Sequence, residues 1–257
     1  MEKKSVYERK EREEDIYSFW LRNANERQVL EKALDDRFRE WYKKTDSSPL
    51  RIIDMGCGRG SAAIKLLNIL KRRGISYQYT GIDPSPNQIS MFKVNMRGRP
   101  NVRAYCSTLE EFTSKDSFDI AFVVHSLYYV QNMTESLKQI LALSKNAIIV
   151  HHGERGINEV HKRFKPHVRK GPHIISTHED VTKALDKLEI RYAKRVYPTK
   201  TKTASCNDPK NSEGRNMIKF FLEQPTLPES TIEQVSKYFA KRKLDYLTHD
   251  MGLIITK

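Results

Sequence analysis

The fold is decided by the stretch Arg51-Ile52-Ile53-Asp54-Met55-Gly56-Cys57-Gly58-Arg59-Gly60-Ser61. It begins with a short apolar run that ends in Asp54, continues with three glycines at every second position, and leads into apolar residues at helical spacing over 62–70. This pattern predicts a buried strand, a tight turn and the N-terminus of a helix. Because glycine has no Cβ, the turn can bend sharply and come close to a ligand, and the first helical turn offers unpaired N–H groups there.

A second strand is predicted over 77–83 and ends in Asp83, 23 residues beyond Gly60. In nucleotide-binding α/β units, an acid at this place binds the hydroxyls of a ribose. A dinucleotide fingerprint would have its third glycine where this chain has Ser61. The spacing instead resembles motif I of the class I S-adenosylmethionine (SAM) methyltransferases. The alternative is a structural turn in an unrelated α/β protein.

Length and composition are those of one globular unit. The chain has 257 residues, of which 38% are hydrophobic and 30% charged, enough for one α/β core with a small appendage. It has no apolar run of 18 residues, and its first residues lead into mixed charge, so we expect neither a membrane span nor a secretory signal. Three cysteines without metal spacing (Cys57, Cys106 and Cys206) suit a reducing compartment. We therefore expect a cytoplasmic protein, and a monomer.

The formal net charge of +14, from 46 basic and 32 acidic residues, can attract polyanions or acidic substrates. The basic residues are scattered in short groups such as Lys71-Arg72-Arg73 and Lys241-Arg242-Lys243, without an aromatic-interleaved RNA motif. This distribution favours a solvated basic surface and leaves nucleic acid as an alternative partner.

The segments around the glycine loop give the domain plan. Over 15–45, apolar residues at helical spacing predict two helices that form a cap, with a break near Asn23-Ala24-Asn25. Five strands alternate with helices over 50–150, and a sixth strand is predicted over 190–196. Residues 50–198 are therefore expected to form a SAM-binding core with a Rossmann-like, doubly wound α/β fold. The segment 199–242, polar and irregular at first and then helical, is expected to be a substrate-side insertion before a final strand over 243–257. The whole chain is thus expected to be one domain with a mostly parallel, seven-stranded sheet.

Polar residues follow three predicted strands, at the edge of the sheet where ligands bind in open α/β folds. Ser107-Thr108 follows the third strand and is expected to open a short helix over 107–111, either contacting a bound adenine or only capping that helix. His125 begins a polar and aromatic cluster over 125–130 after the fourth strand, and this cluster is the first candidate for substrate contact. His151-His152 follows the fifth strand and is expected only to line the edge.

Three further sequence patterns occur at characteristic positions before and after the glycine loop. The N-terminal helices carry Trp20-Leu21 followed by Glu26, the second strand leads into Asp83-Pro84-Ser85-Pro86-Asn87-Gln88, and the fourth leads into Leu127-Tyr128-Tyr129-Val130. With these patterns, the chain resembles the histamine N-methyltransferase family over almost its full length. The glycine loop is shared by the superfamily, whereas Leu-Tyr-Tyr-Val together with Glu26 is specific to the family.

The resemblance implies SAM as the cofactor and assigns site residues by position. The residues implied to hold the cofactor are Gly56, Gly58, Asp83, Gln88, Ser107, Thr108 and Val124. Those implied to face the substrate are Tyr17, Trp20, Glu26, His125, Tyr128 and His249. The chain departs from the family at two of these positions: the family has an amide where this chain has His125, and an Asn near the start of the last strand, where this chain offers Thr248, His249 or Asp250.

We therefore expect an enzyme, a SAM-dependent N-methyltransferase (EC 2.1.1) that acts on a small amine or imidazole compound, a histamine-like one included. Aligning the sulfonium methyl with a neutral nitrogen can supply on the order of 7–11 kcal/mol. His125 is the candidate proton acceptor, with plain packing as its alternative. Glu26 is the candidate partner of a cationic substrate, with a solvated helix carboxylate as its alternative.

Other classes of function stay open at this point. A metal is not expected, because His125-Ser126 supplies no carboxylate after the fourth strand. An RNA or protein methyltransferase that uses the basic surface is the main alternative. A SAM-binding module without catalysis would need only the same glycine loop.

Overall fold

The computed structural model describes Val6, Tyr7 and residues 15–257 of the chain, and within them the apolar segments form one sheet. Its strands are β1 (Leu50–Met55), β2 (Tyr77–Asp83), β3 (Val102–Cys106), β4 (Phe118–Val124), β5 (Ser144–His152), β6 (Tyr192–Lys202) and β7 (Tyr246–Thr256). They lie in the order β3-β2-β1-β4-β5-β7-β6, with β7 antiparallel to both of its neighbours. The structure confirms the predicted seven-stranded, mostly parallel, doubly wound sheet.

Helices precede the sheet and connect its strands. They are α1 (Ile16–Asn23), α2 (Glu26–Asp36), α3 (Phe38–Trp41), α4 (Ser61–Arg72), α5 (Pro86–Asn95), α6 (Met133–Leu143), α7 (Ile157–Arg163), α8 (His178–Lys187), α9 (Ser212–Phe221) and α10 (Glu229–Lys241). Ser85 caps α5 as its sequence predicts, accepting a hydrogen bond from the N–H of Gln88 with Pro86 in the first turn. Across the described residues, no helix has the length and apolar character needed to cross a bilayer.

Alternation along the strands places two cores on the two faces of the sheet. Ile52 and Phe122 point to the face covered by α2, α4 and α5, whereas Ile53 and Val123 point to the face covered by α6 and α8. Every residue of β4 is buried, which fits its central position. The carboxyl ends of β1, β2 and β4 therefore meet at one rigid edge.

A third apolar core lies outside the sheet and joins the N-terminal cap to the segment inserted between β6 and β7. Trp20 of α1 stacks on Phe220 of α9, with 4.8 Å between ring centroids, and Phe221 and Phe239 are fully buried beneath them. The break between α1 and α2 is fixed by backbone pairing with β6. The N–H of Asn25 donates to the carbonyl of Lys200 (3.0 Å), and the N–H of Lys200 donates to Oδ1 of Asn25 (2.8 Å).

The helix expected over 107–111 is absent from the described structure; one turn stands in its place. The N–H groups of Glu111 and Phe112 donate to the side chain and the carbonyl of Thr108, each at 3.2 Å, and the turn ends there. Residues 113–117 are polar, and Ser and Asp favour turns because their side chains compete for backbone groups; the Oγ of Ser114, for example, accepts the N–H of Asp116. A single helical turn without continuation is not stable alone.

The boundary of the insertion also differs from the sequence-based expectation. Residues 199–202, predicted as the start of an irregular segment, belong to β6, because β7 pairs with β6 along its length as far as Lys202 opposite Tyr246. The inserted segment therefore begins after Lys202. Helix α7 was not predicted from the sequence; it is short, and its buried side chains include Ile157 and Val160.

Asp15 is predicted to stabilise the cap. Its carboxylate caps α1 by accepting the N–H of Ser18 (3.2 Å), and it receives two hydrogen bonds from the guanidinium of Arg59 (2.7 and 2.9 Å). Asp15→Ala should lower the free energy of unfolding by about 2–4 kcal/mol, since it removes both the cap and an ion pair whose side chains are mostly buried. Urea denaturation followed by circular dichroism measures the change.

The control is Asp36→Ala, which removes an exposed carboxylate at the end of α2 and should change the free energy by less than about 0.5 kcal/mol. The pKa of Asp15 lies at about 2, because the hydrogen bonds and charge of Arg59 and Ser18 outweigh burial. The difference between wild type and Asp15→Ala should therefore be present above pH 4 and shrink as the pH falls towards 2. Equal stability of the two proteins at pH 7 would show that the cap does not depend on Asp15.

Candidate active site

A cavity of about 340 Å³ lies at the carboxyl edge of the sheet, beneath the cap and the inserted segment. Its wall includes the glycine loop, the ends of β2, β4 and β5, and side chains of α1, α2 and α9. Most of the site residues predicted from the sequence line it: Tyr17, Trp20, Glu26, Gly56, Gly58, Asp83, Gln88, Thr108, Val124, His125 and Tyr128.

Two predicted residues do not line the cavity. Ser107 lies in a separate surface depression with Tyr105 and Phe112, so of the pair that follows β3 it is Thr108 that reaches the cavity. His249 is fully buried on β7 and contacts Glu26 from behind the wall.

The glycine loop needs its glycines for two physical reasons. Gly56, Gly58 and Gly60 have φ angles of +76°, +51° and +84°, a region that other residues rarely adopt. In addition, a Cβ on Gly56 would lie 2.4 Å from Cβ of Ser126, which follows β4. The loop after β1 and the turn after β4 thus come together at a place that tolerates no side chain.

Asp83 is held at the end of β2 by the loops on either side of it. Its Oδ2 accepts the N–H of Gly58 and its Oδ1 accepts the N–H of Ser85, both at 2.9 Å. Burial raises the pKa of this carboxyl, and the two backbone N–H groups oppose that effect. Each carboxylate oxygen has a further lone pair, so Asp83 can still accept two hydrogen bonds from a ligand.

Gln88 ties the N-terminal segment to the glycine loop. Its Nε2 donates to the carbonyl of Tyr7 (2.9 Å), and its Oε1 lies 3.4 Å from Nε of Arg59. Arg59 lies over the ring of Tyr17, 4.8 Å from its centroid, while its ion pair with Asp15 fixes the start of α1. The cap is therefore fastened to the loop that it covers.

Asp54, at the end of β1, is a buried acid in the same wall. Its Oδ2 accepts the hydroxyl of Tyr79 at 2.6 Å. Burial raises the pKa of Asp54 to about 7. The glycine loop therefore begins beside a carboxyl that changes its charge near neutral pH.

Glu26, the first residue of α2, lies within a group of positive and imidazole side chains. Its Oε1 lies 2.7 Å from Nη1 of Arg27 and 3.0 Å from Nε2 of His125. Its Oε2 lies 3.1 Å from Nε2 of His249 and 3.9 Å from Nε2 of His152. Burial acts to raise the pKa of Glu26, but the charge and contacts of His125, His249 and Arg27 hold it well below its usual range, so the group is a carboxylate at neutral pH.

His125 follows β4 in a left-handed conformation (φ +54°), which is uncommon for a residue other than glycine. The backbone N–H of His152 donates to the hydroxyl of Tyr128 (2.7 Å), which leaves the proton of that hydroxyl for Nδ1 of His125 at 3.2 Å. This network assigns the ring proton to Nε2, which faces Glu26. Burial lowers the pKa of His125, and Glu26 opposes the effect.

Glu223 is a second carboxylate in the wall, contributed by the inserted segment just after α9. Its Oε1 accepts the hydroxyl of Tyr129 (2.9 Å), whereas Oε2 is covered and has no hydrogen-bond partner among the described residues. Burial raises the pKa of Glu223 to about 7, and Arg169, also in the wall, opposes the effect. Phe220, three residues before Glu223, stacks on the rings of Tyr17 and Trp20, and all three rings line the cavity.

Sequence reasoning missed several of these residues. Glu223 has φ +54° after the end of a helix, where Gly or Asn would be the usual signal, so its sequence gives no warning. His152 was expected only to line the edge, yet it faces Glu26, from which it is 126 positions away in the chain. His151 is fully buried and stacks on Tyr128. Only the folded sheet brings these side chains together.

Comparisons with known proteins agree with this geometry. The family model described as a methyltransferase domain matches residues 23–165, which hold α2, the glycine loop, Asp83 and His125. The chain belongs to this methyltransferase domain family. Histamine N-methyltransferase of Xenopus tropicalis is 22% identical over 230 residues, which cover 81% of this chain and 78% of that one. A ubiquinone biosynthesis O-methyltransferase of Bradyrhizobium (strain ORS 278) is 30% identical over 99 residues, 38% of this chain and 37% of that one.

Solved structures share the fold. The YcgJ protein of Bacillus subtilis has a TM-score of 0.62 at 13% identity, with 89% of this chain and 97% of that chain covered. Magnesium protoporphyrin IX methyltransferase of Synechocystis PCC 6803, solved with S-adenosylhomocysteine (SAH), has a TM-score of 0.57 at 11% identity, with 98% and 91% covered. The protein is a class I SAM-dependent methyltransferase, and SAM is its cofactor.

The close approach at Gly56 predicts a large effect of a single methyl group. Gly56→Ala should lower the free energy of unfolding by about 2–4 kcal/mol, because it combines an unfavourable positive φ with a clash against Ser126. It should also abolish detectable SAH binding in calorimetry. Chemical denaturation measures the first effect.

Gly74→Ala is the matched control. Gly74 also has a positive φ (+65°), but a Cβ there would meet nothing within 4 Å. It should therefore lose only about 1–2 kcal/mol and keep its affinity for SAH. Similar losses in the two variants would mean that the contact with Ser126 does not constrain the loop.

Proposed function

We propose that the protein is an N-methyltransferase that transfers the methyl group of SAM to a nitrogen of a small amine or imidazole-type metabolite. The observation that carries the proposal is Glu223, a partly buried residue whose covered Oε2 has no partner among the described residues and which lines the same cavity as the glycine loop and several aromatic side chains. A carboxylate and aromatic faces together favour a small organic cation.

The residues at the loop end of the cavity fit the cofactor. Gly56 exposes its backbone at a position where a Cβ would clash with Ser126. Gly58 directs its N–H to the carboxylate of Asp83. Asp83 retains the lone pairs to hold both ribose hydroxyls, and Thr108 and Val124 line the wall nearby. When bound, SAM supplies an electrophilic methyl group on its sulfonium.

The other end of the cavity receives the acceptor. Glu223 and the rings of Tyr17, Trp20 and Phe220 hold a cationic amine group of the acceptor, and Tyr129 fixes the carboxylate through its hydroxyl. A nitrogen that is to be methylated must keep its lone pair, so the methylated atom is a neutral nitrogen. It lies towards Tyr128 and His125, at the end of β4.

His125 acts as the proton acceptor through Tyr128, whose hydroxyl passes its own proton to Nδ1 of His125 and takes up the proton of the substrate nitrogen. Glu26 faces its other nitrogen at 3.0 Å and makes the ring more basic, which compensates in part for burial. Tyr128 keeps the ring in place through its hydroxyl. In this arrangement Glu26 is a positioning residue, and Glu223 takes the contact with the substrate cation that the sequence assigned to Glu26.

A transfer assay with labelled SAM tests the proposal. A panel of small amines and imidazoles, bulk RNA and a peptide mixture are each incubated with the protein at physiological salt. Label in one or more small amines, on nitrogen by mass spectrometry, is the expected result. Label in RNA or peptide alone would instead favour a macromolecular substrate on the basic surface, and label in none of them a binding module.

The role of Asp83 can be measured without a known acceptor. Asp83→Ala should weaken binding of SAH roughly 10- to 150-fold, because hydrogen bonds to a charged group contribute about 1.5–3 kcal/mol. Isothermal titration calorimetry gives the affinity. Asp119→Ala is the control, since Asp119 also accepts a backbone N–H (that of Arg51) but lies at the opposite end of the sheet. An unchanged affinity in Asp83→Ala would remove Asp83 from the cofactor site.

The role of Glu223 needs an active amine from the panel. Glu223→Gln should raise KM for that amine about 10- to 100-fold with little change in SAH affinity, since a charged contact to the acceptor is lost. Because the pKa of Glu223 is about 7, wild-type kcat/KM should rise as the pH passes through 7, and this rise should be smaller in the variant, which lacks the titrating carboxyl.

Glu233→Gln, an exposed carboxylate on α10, is the control and should behave as wild type. If Glu223→Gln has the same KM as the wild-type protein, the cationic group of the acceptor binds elsewhere in the cavity.

A further inference from the structure

Three side chains from distant parts of the chain converge beside the cavity: Glu26 at the start of α2, His152 at the end of β5 and His249 on β7. Each turns one potential ligand atom inwards, and these atoms all lie within 4.8 Å of one another. All three residues are buried. The cluster is therefore held by the sheet and the cap rather than by a flexible loop.

We propose that Glu26, His152 and His249 bind one divalent transition-metal ion of the Zn²⁺ type. Ligands at about 2.0–2.2 Å from a zinc ion lie roughly 3.4 Å from one another in a tetrahedral site. Oε2 of Glu26 lies 3.1 Å from Nε2 of His249 and 3.9 Å from Nε2 of His152, which brackets that separation. Two imidazoles and one carboxylate form a ligand set found in catalytic zinc sites.

Neither ring nitrogen of His152 has a hydrogen-bond partner among the described residues. Its Nε2 lies 3.9 Å from the carboxylate, too far for a hydrogen bond. Its Nδ1, like that of His249, is buried and has no hydrogen-bond partner within residues 15–257 and 6–7. A neutral imidazole carries one nitrogen lone pair that can bind a metal ion. A metal ion would give this lone pair the partner that it lacks.

The two oxygens of Glu26 are divided between two tasks. Oε1 faces Arg27 and His125, which hold the carboxylate in place as outer partners hold metal ligands elsewhere. Oε2 faces the two imidazoles. Mg²⁺ and Ca²⁺ prefer oxygen ligands, whereas the two imidazole nitrogens suit zinc or iron.

Three protein ligands leave a coordination position for another molecule. Glu26 and His152 line the cavity, so this position is reached from the acceptor side. A nitrogen bound to the metal would lose its nucleophilic lone pair. The metal would therefore hold the acceptor through a second donor atom, such as an imidazole or hydroxyl group, and leave the methylated nitrogen free.

Metal binding can be measured without SAM or an acceptor, so its outcome is independent of the proposed N-methylation. The full-length protein is treated with a chelator, desalted and titrated with Zn²⁺ against a chromophoric competitor. Wild type should bind about one equivalent, and Glu26→Gln and His249→Gln should each lose at least about 10-fold in affinity. His178→Gln, a buried histidine outside the cluster, is the control and should bind like wild type.

Two further measurements guard against misfolded variants. Zn²⁺ should raise the melting temperature of wild type reversibly with a chelator, and Co²⁺ in its place should give visible absorption typical of nitrogen and oxygen ligands. Each variant should still bind SAH, which shows that it is folded. Wild type without stoichiometric Zn²⁺, or folded cluster variants that bind it unchanged, would overturn the proposal.

Discussion

The close approach between the loop after β1 and the turn after β4 is the constraint on which the site depends. A Cβ at Gly56 would lie 2.4 Å from that of Ser126, so the two loops touch through backbone and one small side chain. Since β1 and β4 are neighbours in the sheet, their carboxyl ends are fixed relative to each other. One loop forms the wall at Asp83, and the other carries His125 to the acceptor end. A single contact thus sets the distance between the two ends of the cavity.

The N-terminal cap is attached to the glycine loop and to the sheet, and it covers the cavity between them. Arg59, within the glycine loop, binds Asp15 at the start of α1, and Asn25 pairs with Lys200 on β6. The cap is therefore joined to both halves of the sheet, and the stacking of Trp20 on Phe220 adds the inserted segment to the same body. Because these contacts surround the cavity, a ligand bound there would lie beneath the cap.

Local patterns predicted the elements, and their limits explain the errors. The strands and most helices have apolar periods that the structure confirms, and the glycine loop indicated the carboxyl edge as the site. The predicted helix at 107–111 was wrong because one good cap at Thr108 is followed by residues that favour turns. The strand β6 was cut short because Thr199 and Thr201 are polar in sequence, although β7 buries both.

The candidate site was less predictable than the fold, because its chemistry comes from pairs distant in sequence. Glu26 and His249 are 223 positions apart, and no motif joins them. From the sequence, Glu26 was one helix carboxylate with a single partner, the substrate. In the fold, its charge is divided: one oxygen faces His125 and sets the basicity of the ring at the end of β4, and the other faces His152 and His249. A buried carboxylate with four nitrogen neighbours has no need of a substrate cation to balance it. In the proposed function the substrate cation is therefore assigned to Glu223, whose second oxygen the described residues leave without a partner.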